Sequence, residues 1–320
     1  MAKSQLIIMS RGRVFECAVE EGIVWETQRK GAPGKLTFNV MNDEALGFHE
    51  GDGVRFDYDG KKVFFGFIFT KKRSSNRMIT VTAFDQLYYF KMKDTYNFKA
   101  KTAAQILQML IADFRLKPGI IADTKYVIKS QLEDTTELFG IMDTALGRTT
   151  QNTGVLYVLY DDYGKLNLRD VKMLKLDILI DEESGETFEY TSSIADNTYN
   201  KIKLTRENKE TGKREIFIAQ HGENINQWGV LQYTDKVEEG ENGKVKADAL
   251  LALYNRKSRK LHINKVFGDV RVRGGSTVGV QMYLGDLTVA NYMMVEKVKH
   301  TFYESDHRMD LHLIGGDFIA

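Results

Sequence analysis

The sequence of 320 residues predicts an α+β, mainly β fold in which two similar antiparallel β-modules, each expected to form a small barrel, flank an α/β module. The first observation behind this prediction is a pattern that occurs twice, at 51–83 and at 274–313. Each copy has a glycine turn, a short strand, a turn, a long strand, a further turn and an alternating strand. The second observation is a helical spacing of apolar residues between the two copies. Identity between the copies is low, so the repeat is one of turns and strand types.

The composition is that of a folded chain with balanced charge. Hydrophobic residues make up 42% of the chain, and 45 Lys and Arg residues oppose 44 Asp and Glu residues to leave a net charge of +1. This balance argues against a nucleic-acid binder, and we expect no sequence-specific nucleic-acid partner. The single cysteine, Cys17, excludes an intrachain disulfide and a cysteine-based zinc cluster. Its position in an alternating apolar run predicts a small buried residue.

Membrane and export signals are not evident in the sequence. Only four apolar residues follow Met1–Gln5 before a charged stretch, which is too short for a signal-peptide core. No window approaches the ~20 apolar residues of a membrane span. We therefore expect synthesis in the cytosol and no stable membrane insertion.

The first β-module is expected at 1–97. Its long strand at 63–69 carries apolar residues on both faces, which predicts that both faces are covered. The strand at 79–83 alternates, and it places Thr80 and Thr82 on a polar face directed toward water or a lumen.

The α/β module is expected at 98–186. Thr102 is the predicted N-cap of its first helix, and residues 134–137 have the spacing of a capping box ahead of the second. A hairpin is predicted around the turn at 161–164. The acidic turn at 181–186 marks the predicted boundary with the next module.

The second β-module is expected at 187–320, with an insertion at about 205–267 that contains a helix at about 247–259. Its long strand separates a polar from an apolar face. The apolar residues that we expect to face a core are Met294, Val298 and Phe302. The polar residues that we expect to line a solvent-filled lumen, together with those of the first β-module, are Lys297, Lys299 and Thr301.

The sequence predicts no enzyme, no cofactor and no metal site. None of the six histidines has the spacing of a metal ligand, and a hairpin at 302–309 would not make His300 and His312 cross-strand neighbours. A phosphate-binding loop, a nucleophile elbow and a dinucleotide fingerprint are also missing from their required contexts.

Two alternative functions stay open. The acidic turns at 161–162 and 181–183 could supply the carboxylate pair of a cell-wall hydrolase, although adjacent acids on a turn are usually solvated. If Trp25 and Trp228 are exposed, they could mark a carbohydrate-binding module. We interpret the basic run at 256–260 as a solvated helix end, because no stacking aromatic residues interleave it.

Seven segments of the sequence, taken with the order of the modules, carry a resemblance to a known family. They are Gly51–Val54, Gly66–Ile68, Ile79–Asp85, Asn200–Ile202, Gly268–Val272, Val295–Val298 and Gly315–Phe318. With these segments the chain resembles the baseplate hub of contractile phage tails, the late-control protein D family, which includes the hub half of type VI secretion spike proteins. Within that family it resembles the hubs of defective prophages and of phage-tail-like bacteriocins of Gram-positive bacteria.

The resemblance implies a structural function. Such hubs are trimers in which two tube-like β-barrels per subunit give six similar units, so that a six-fold tail tube can meet a three-fold spike. The implied partners are two further copies of the chain, the tail tube protein, the central spike protein and other baseplate and LysM-type tail proteins, with the tape-measure protein as a further candidate. The chain would assemble in the bacterial cytoplasm and become part of the virion or tail-like particle. In the type VI spike proteins a needle domain follows the hub, and this sequence reaches Ala320 without one. The resemblance therefore implies that the spike is a separate protein.

Overall fold

The computed structural model describes the chain in six ranges and divides it into two compact units. The described ranges are 4–41, 47–73, 78–207, 214–237, 241–284 and 288–315. The first unit comprises Met1–Thr150, Val155–Glu189 and Leu261–Ala320, and the second comprises Gln151–Gly154 and Tyr190–Lys260. The turn that precedes the alternating strand of the first copy, predicted at 74–76, lies outside the described residues. So do residues 316–318, the end of the last segment that carries the family resemblance.

The first β-module consists of strands that alternate between buried and half-exposed residues. Its strands are β1 (Ser4–Ser10), β2 (Arg13–Glu16), β3 (Ile23–Gln28), β4 (Lys35–Met41), β5 (Gly53–Tyr58), β6 (Lys61–Arg73) and β7 (Met78–Phe84). Phe38, Phe56 and Val81 lie in its core. The opposite face of the long strand β6 is covered as predicted, because the Phe69 ring lies 4.0 Å from the ring of Tyr88.

The α/β module begins after a 3₁₀ helix at Gln86–Lys91. Its elements are β8 (Lys93–Thr102), α1 (Ala103–Asp113), β9 (Pro118–Ile121), β10 (Val127–Glu137), α2 (Leu138–Thr153), β11 (Tyr157–Asp161) and β12 (Leu166–Asp170). Thr102 is the N-cap of α1 as predicted, and it forms a capping box with Gln105. The capping box predicted at 134–137 is wrong, because these residues finish β10, where Thr136 pairs with Asp94 of β8.

The second β-module and the second unit contain the remaining elements. The strands of the second β-module are β13 (Lys175–Ile180), β14 (Thr187–Ser193), β18 (Ser258–Phe267), β19 (Thr277–Tyr283), β20 (Thr288–Phe302) and β21 (His307–Ile314). The elements of the second unit are β15 (Lys201–Glu207), β16 (Arg214–Gln220), α3 (Gly222–Trp228), β17 (Gln232–Lys236) and α4 (Gly243–Tyr254). The helix α4 ends earlier than predicted, because residues from Ser258 onward form β18. No helix in the described ranges has the length and apolar character needed to cross a bilayer.

The two β-modules share one order of hydrogen-bonded strands, which confirms the predicted repeat. The first module has the order β3-β4-β7-β6-β5-β1, and the second has β14-β18-β21-β20-β19-β13. The modules differ at the last step, because β1 pairs antiparallel with β5 whereas β13 pairs parallel with β19.

The strand registers give the repeat residue by residue. The pairing of β6 with β7 shifts between Ile68 and Thr70, and that of β20 with β21 shifts between Val295 and Lys297. Each long strand therefore has a β-bulge at the same place. Counting from these bulges, Val54 corresponds to Val278 and Ile79 corresponds to Met309. These are the equivalences that the sequence pattern predicts.

Candidate assembly site

The two β-modules are joined edge to edge by one pair of strands. Strand β20 pairs antiparallel with β3, from Lys297 opposite Gln28 to Phe302 opposite Ile23. The backbone N–H of Arg29 donates to the carbonyl oxygen of Glu296 at 2.9 Å, just beyond the end of the ladder. The junction therefore makes one continuous sheet out of two modules that are far apart in sequence.

This continuous sheet has a polar face opposite its core. Along one row, Thr82, Thr37, Val24, Thr301 and Arg308 are successive cross-strand neighbours. The polar face, as used below, consists of Thr37, Thr80, Thr82, Lys35, Val24, Glu26, Lys297, Lys299, Thr301, Arg308 and Asp310. The structure thus brings all the residues predicted to face a lumen onto one side of one sheet.

Ion pairs connect the strands of the polar face. The Glu26 carboxylate lies between the Lys35 ammonium, which it contacts, and that of Lys297 at 3.5 Å. Burial raises the pKa of Glu26, but these two lysines outweigh burial and the net pKa is lowered. Lys299 lies 3.5 Å from Asp310 on the next strand. Lys297 and Lys299 remain 44% and 45% exposed, so the face is open to solvent in the single chain.

The prediction that Met294, Val298 and Phe302 face a core is confirmed, since all three side chains are buried. Val298 and Phe302 are buried on the core side. Met294 is also buried, but it lies on the same side of the sheet as Lys297, because the bulge at Glu296 adds one residue between them. There it packs with Val158 and Val171 in a separate apolar cluster.

A buried pair of histidines lies behind the junction, and the sequence analysis missed it. His300 is opposite Met309, not His312, as the expected hairpin implied. However, Nδ1 of His300 lies 2.9 Å from Nε2 of His307, and Nε2 of His300 lies 2.9 Å from the carbonyl oxygen of Val272. The carbonyl can only accept, so His300 carries its proton on Nε2 and accepts the Nε2–H of His307 on Nδ1. The two rings meet because of the register between β20 and β21, which the sequence spacing does not reveal.

Burial keeps both rings of this pair neutral. It lowers the pKa of His300 to about 3, with the neighbouring His307 as a further cause. The pKa of His307 is lowered to about 4, again mainly by burial. Within the described ranges, no group of three or more His, Cys, Asp or Glu side chains could hold a metal ion. The pair is thus a hydrogen-bonded element of the core.

Trp25, one of the aromatic residues considered for carbohydrate binding, also belongs to this core. It is 3% exposed, and its ring stacks on that of His300 at a centroid distance of 4.7 Å. The proposed exposure of Trp25 is therefore wrong, because the pairing of β3 with β20 covers it. Trp228 is half-buried at the end of α3.

Asp85 and Asp161 are two interacting carboxyl groups whose pKa values are both raised. Burial raises the pKa of Asp85 well above its usual range, with Asp161 as a second cause, and burial raises the pKa of Asp161 to about 6. Both groups bind backbone N–H groups: Gly34 and Leu87 donate to Asp85, and Gly164 donates to Asp161. These bonds hold turns together, which is a structural function.

The other acidic residues considered for hydrolysis are exposed and lie on turns. Asp162 forms an ion pair with Arg273 at 3.2 Å, and the carboxylate of Asp181 accepts the Ser184 hydroxyl at 2.6 Å. A cavity of about 430 Å³ between β13, β19 and β20 is lined by neither Asp85 nor Asp161. The acidic turn at 181–183 lines a different groove, with Met282, Tyr283 and Thr288, and contributes no carboxylate to the pair of Asp85 and Asp161.

Comparisons with known proteins place this fold among phage tail proteins. A model of the family described as YQBQ-like matches residues 23–314. The uncharacterized protein YqbQ of Bacillus subtilis (strain 168) is 30% identical over 307 residues, which cover 92% of each chain. The phage-like element PBSX protein XkdQ of the same organism is 27% identical over 311 residues, again 92% of each chain.

A solved structure shows the same fold at low sequence identity. The 43 kDa tail protein of prophage MuSo2 from Shewanella oneidensis matches 99% of this chain and 100% of its own, with a TM-score of 0.69 and 12% identity. The chain thus has the fold of a phage tail protein, as the resemblance implied.

Proposed function

Because the chain belongs to the YqbQ-like family, we propose that it is a structural protein of a phage-tail-like baseplate and forms its hub. Two findings support a place in a tail. The relative XkdQ is named as a protein of a phage-like element, and the structure from prophage MuSo2 is described as a tail protein.

The observation that carries the hub assignment is the repeat of two β-modules in one chain. Their common strand order makes them similar units, and the β3–β20 ladder sets them side by side. Three copies with two modules each present six similar units around an axis, while the ring keeps three-fold symmetry. Such a ring can meet a six-fold tail tube on one side and a three-fold spike on the other.

The polar face is proposed to line the channel of this ring. All of its side chains except that of Val24 are polar, and all are half-exposed, whereas the opposite side of the same strands is the apolar core. A water-filled lumen solvates such a face, and an interface between apolar sheets would not. Lys297, Lys299, Thr301, Thr80 and Thr82 are the residues that we assign to the lumen.

The proposed partners follow from the hub position. They are two further copies of the chain, the tail tube protein, a separate spike protein and other baseplate proteins, including LysM-type tail proteins. Assembly is proposed to take place in the bacterial cytoplasm, and the finished location is the baseplate of the particle.

The test of this function is a cryo-electron microscopy map of the assembled tail tip. We expect three copies between tube and spike, with Lys297 and Lys299 on the channel wall. A different copy number would overturn the adaptor function. Lysines that point to the outer surface of the particle would overturn the lumen assignment alone.

We also propose that the chain has no hydrolytic activity. The rival candidate is a cell-wall hydrolase that uses the buried pair Asp85 and Asp161, because Asp161 has the raised pKa that a general acid needs. Turbidity clearing of purified cell walls tests it. Clearing by the wild-type chain that disappears in Asp161→Asn would establish the rival, whereas we expect neither protein to clear the walls.

A further inference from the structure

We propose that the open edge of β6, at Thr70–Arg73, binds strand β14 of a second copy of this chain. This contact would repeat between copies the β20–β3 junction that each copy already contains. The inference rests on the proposed assembly of several copies, and it names the surfaces through which they meet.

The first step is that β6 and β20 are equivalent strands, each of which binds an equivalent glycine turn; these turns precede β5 and β19. Gly51 N–H donates to the carbonyl of Ile68 at 2.8 Å, and Gly275 N–H donates to that of Val295 at 2.8 Å. In both turns the glycine has a φ near +90°, which only glycine adopts without strain. The returning bonds also match, since Ile68 N–H donates to the carbonyl of Asp52 at 2.9 Å and Val295 N–H to that of Ser276 at 2.8 Å.

The second step is that only one of these equivalent strands is paired on both sides. After its bulge, β20 pairs with β21 on one side and with β3 on the other. After its own bulge, β6 pairs with β7, and no other described strand pairs with Thr70–Arg73. The same four residues therefore leave open the edge that β3 fills on β20.

The third step identifies the strand that fits this edge. By strand order, β14 corresponds to β3, because each is the strand three places from its long strand along the path β3-β4-β7-β6 or β14-β18-β21-β20. Strand β3 is paired on both sides, whereas β14 is the last strand of the path. Among the described strands, each copy thus has one unfilled edge of each kind, and unfilled edges favour pairing with another chain.

Charge supports the match. At the intrachain junction, Lys297 of β20 forms an ion pair with Glu26 of β3. The β6 edge carries the exposed residues Lys72 and Arg73, and β14 carries the exposed residue Glu189. In the observed junction and in the proposed contact, a long strand with basic residues is matched with a strand that carries a glutamate. Opposite charges across a ladder favour β6 with β14 over β6 with a second β6.

A residue beside each long strand gives independent support. Arg273 N–H donates to the Ser276 hydroxyl at 2.7 Å, and His49 N–H donates to the Asp52 carboxylate at 2.6 Å, so His49 corresponds to Arg273. The Arg273 guanidinium lies 5.8 Å from the centroid of the Trp25 ring at the filled junction. The α/β module also covers it, through the Tyr160 ring at 4.9 Å and the Asp161 carbonyl at 3.0 Å, and its side chain is 15% exposed. The side chain of His49 is 52% exposed in the single chain, and a second copy on the β6 edge would place a strand beside it as β3 lies beside Arg273.

Cysteine cross-linking tests the contact directly. In a Cys17→Ser background, Lys72→Cys is combined in turn with Phe188→Cys, Glu189→Cys or Tyr190→Cys, and each full-length protein is oxidised over a concentration series. We expect at least one combination to give covalent multimers on non-reducing gels. The matched control is Lys299→Cys with Glu26→Cys, directly opposite residues that should form an internal disulfide and remain monomeric. If all three combinations stay monomeric up to the solubility limit, the contact is overturned.

Charge reversal provides a second measurement that does not need a disulfide. By sedimentation, Lys72→Glu should weaken self-association about ten-fold or more, and adding Glu189→Lys should restore it. The control is Lys61→Glu, at the end of β6 that already pairs with β5. Equal self-association of Lys72→Glu and the control would overturn the proposal.

The two proposals fail in different ways. Three copies in the tail tip without the β6–β14 contact would overturn this inference and leave the hub function standing. A β6–β14 contact in a particle with another copy number would leave this inference standing and overturn the adaptor function.

Discussion

Arg29 and Glu296 lock the junction between the two β-modules with two kinds of bond. The Arg29 N–H binds the carbonyl of Glu296 at 2.9 Å, and the Arg29 Nε lies 2.6 Å from the Glu296 carboxylate. Glu296 is the bulge residue of β20, so its carbonyl is released from the regular ladder. The irregularity that shifts the strand register therefore also supplies the bond that fixes β3 against it.

Loss of this ion pair should destabilise the first unit. Arg29→Ala leaves the carboxylate of Glu296 partly buried without its partner, and we expect a loss of about 1.5–3 kcal/mol in the free energy of unfolding. The control is Glu186→Gln, which breaks an exposed ion pair with Lys265 and should cost less than about 1 kcal/mol. Urea unfolding measures both losses. Equal midpoints for Arg29→Ala and Glu186→Gln would show that the junction does not depend on this pair.

The two equivalent glycines should respond differently to alanine. Gly51 and Gly275 have φ values of +89° and +93°, so each Gly→Ala substitution carries a similar backbone strain of about 1 kcal/mol or more. A Cβ at Gly275 would also lie 2.4 Å from Cγ1 of Val158, whereas a Cβ at Gly51 meets open space. We expect Gly275→Ala to lower the melting temperature more than Gly51→Ala does. The reverse order would contradict the packing of the α/β module on this turn.

The buried histidine pair should make the fold sensitive to acid. The folded-state pKa values of His300 and His307 are lowered to about 3 and about 4, while histidines in an unfolded chain titrate near ~6.5. The unfolded state therefore takes up more protons below pH ~6.5, and the stability from the neutral pair is lost as pH falls from there toward 4 and 3. The slope is up to about 1.4 kcal/mol per pH unit for each ring.

Nuclear magnetic resonance can follow these two rings. Their imidazole signals should not titrate between pH 7 and 5 in the folded protein and should titrate in urea. A midpoint near 6 in the folded protein would show that the pair is not sealed from water.

Asp161 should act in the opposite direction. Its folded-state pKa is raised to about 6 from an ordinary value of 3.8, so its contribution favours the fold at low pH and is lost as pH rises through 6. Asp161→Asn keeps an oxygen that can accept the Gly164 N–H, and it should remove a loss of about 2 kcal/mol that the wild type undergoes between pH 4 and 7. Urea unfolding at both pH values measures this difference. The control is Asp162→Asn, which removes an exposed carboxylate of the same turn and should leave the difference between the two pH values in place.

Sequence reasoning could predict the modules because their signals are local. The glycine turns, the alternation in β7 and the cap at Thr102 all depend on residues a few positions apart. Patterns of this kind survive low identity, and so the equivalence of Val54 with Val278 follows from the order of turns and strands alone.

The junction could not be predicted because its contacts are non-local. Nothing near Trp25 in the sequence indicates that β20 will cover it, and nothing near His300 fixes the register that brings His307 to it. The bulge at Glu296 has a similar effect on Met294, since one extra residue reverses the face that simple alternation assigns. The residues assigned to the lumen share one face of the sheet, as alternation predicts, because each lies within a regular stretch.

The β3–β20 ladder also has a consequence for synthesis on the ribosome. Arg29 and Glu296 are 267 positions apart, so β3 leaves the ribosome long before its partner strand exists. At roughly 5–20 residues per second, translation leaves this edge uncovered for roughly 15–50 seconds. During that interval, Glu26 on the unpaired strand is a charge that discourages pairing with other nascent chains. The Glu26 carboxylate thus opposes association of nascent chains first and binds Lys297 later, once β20 has been synthesised.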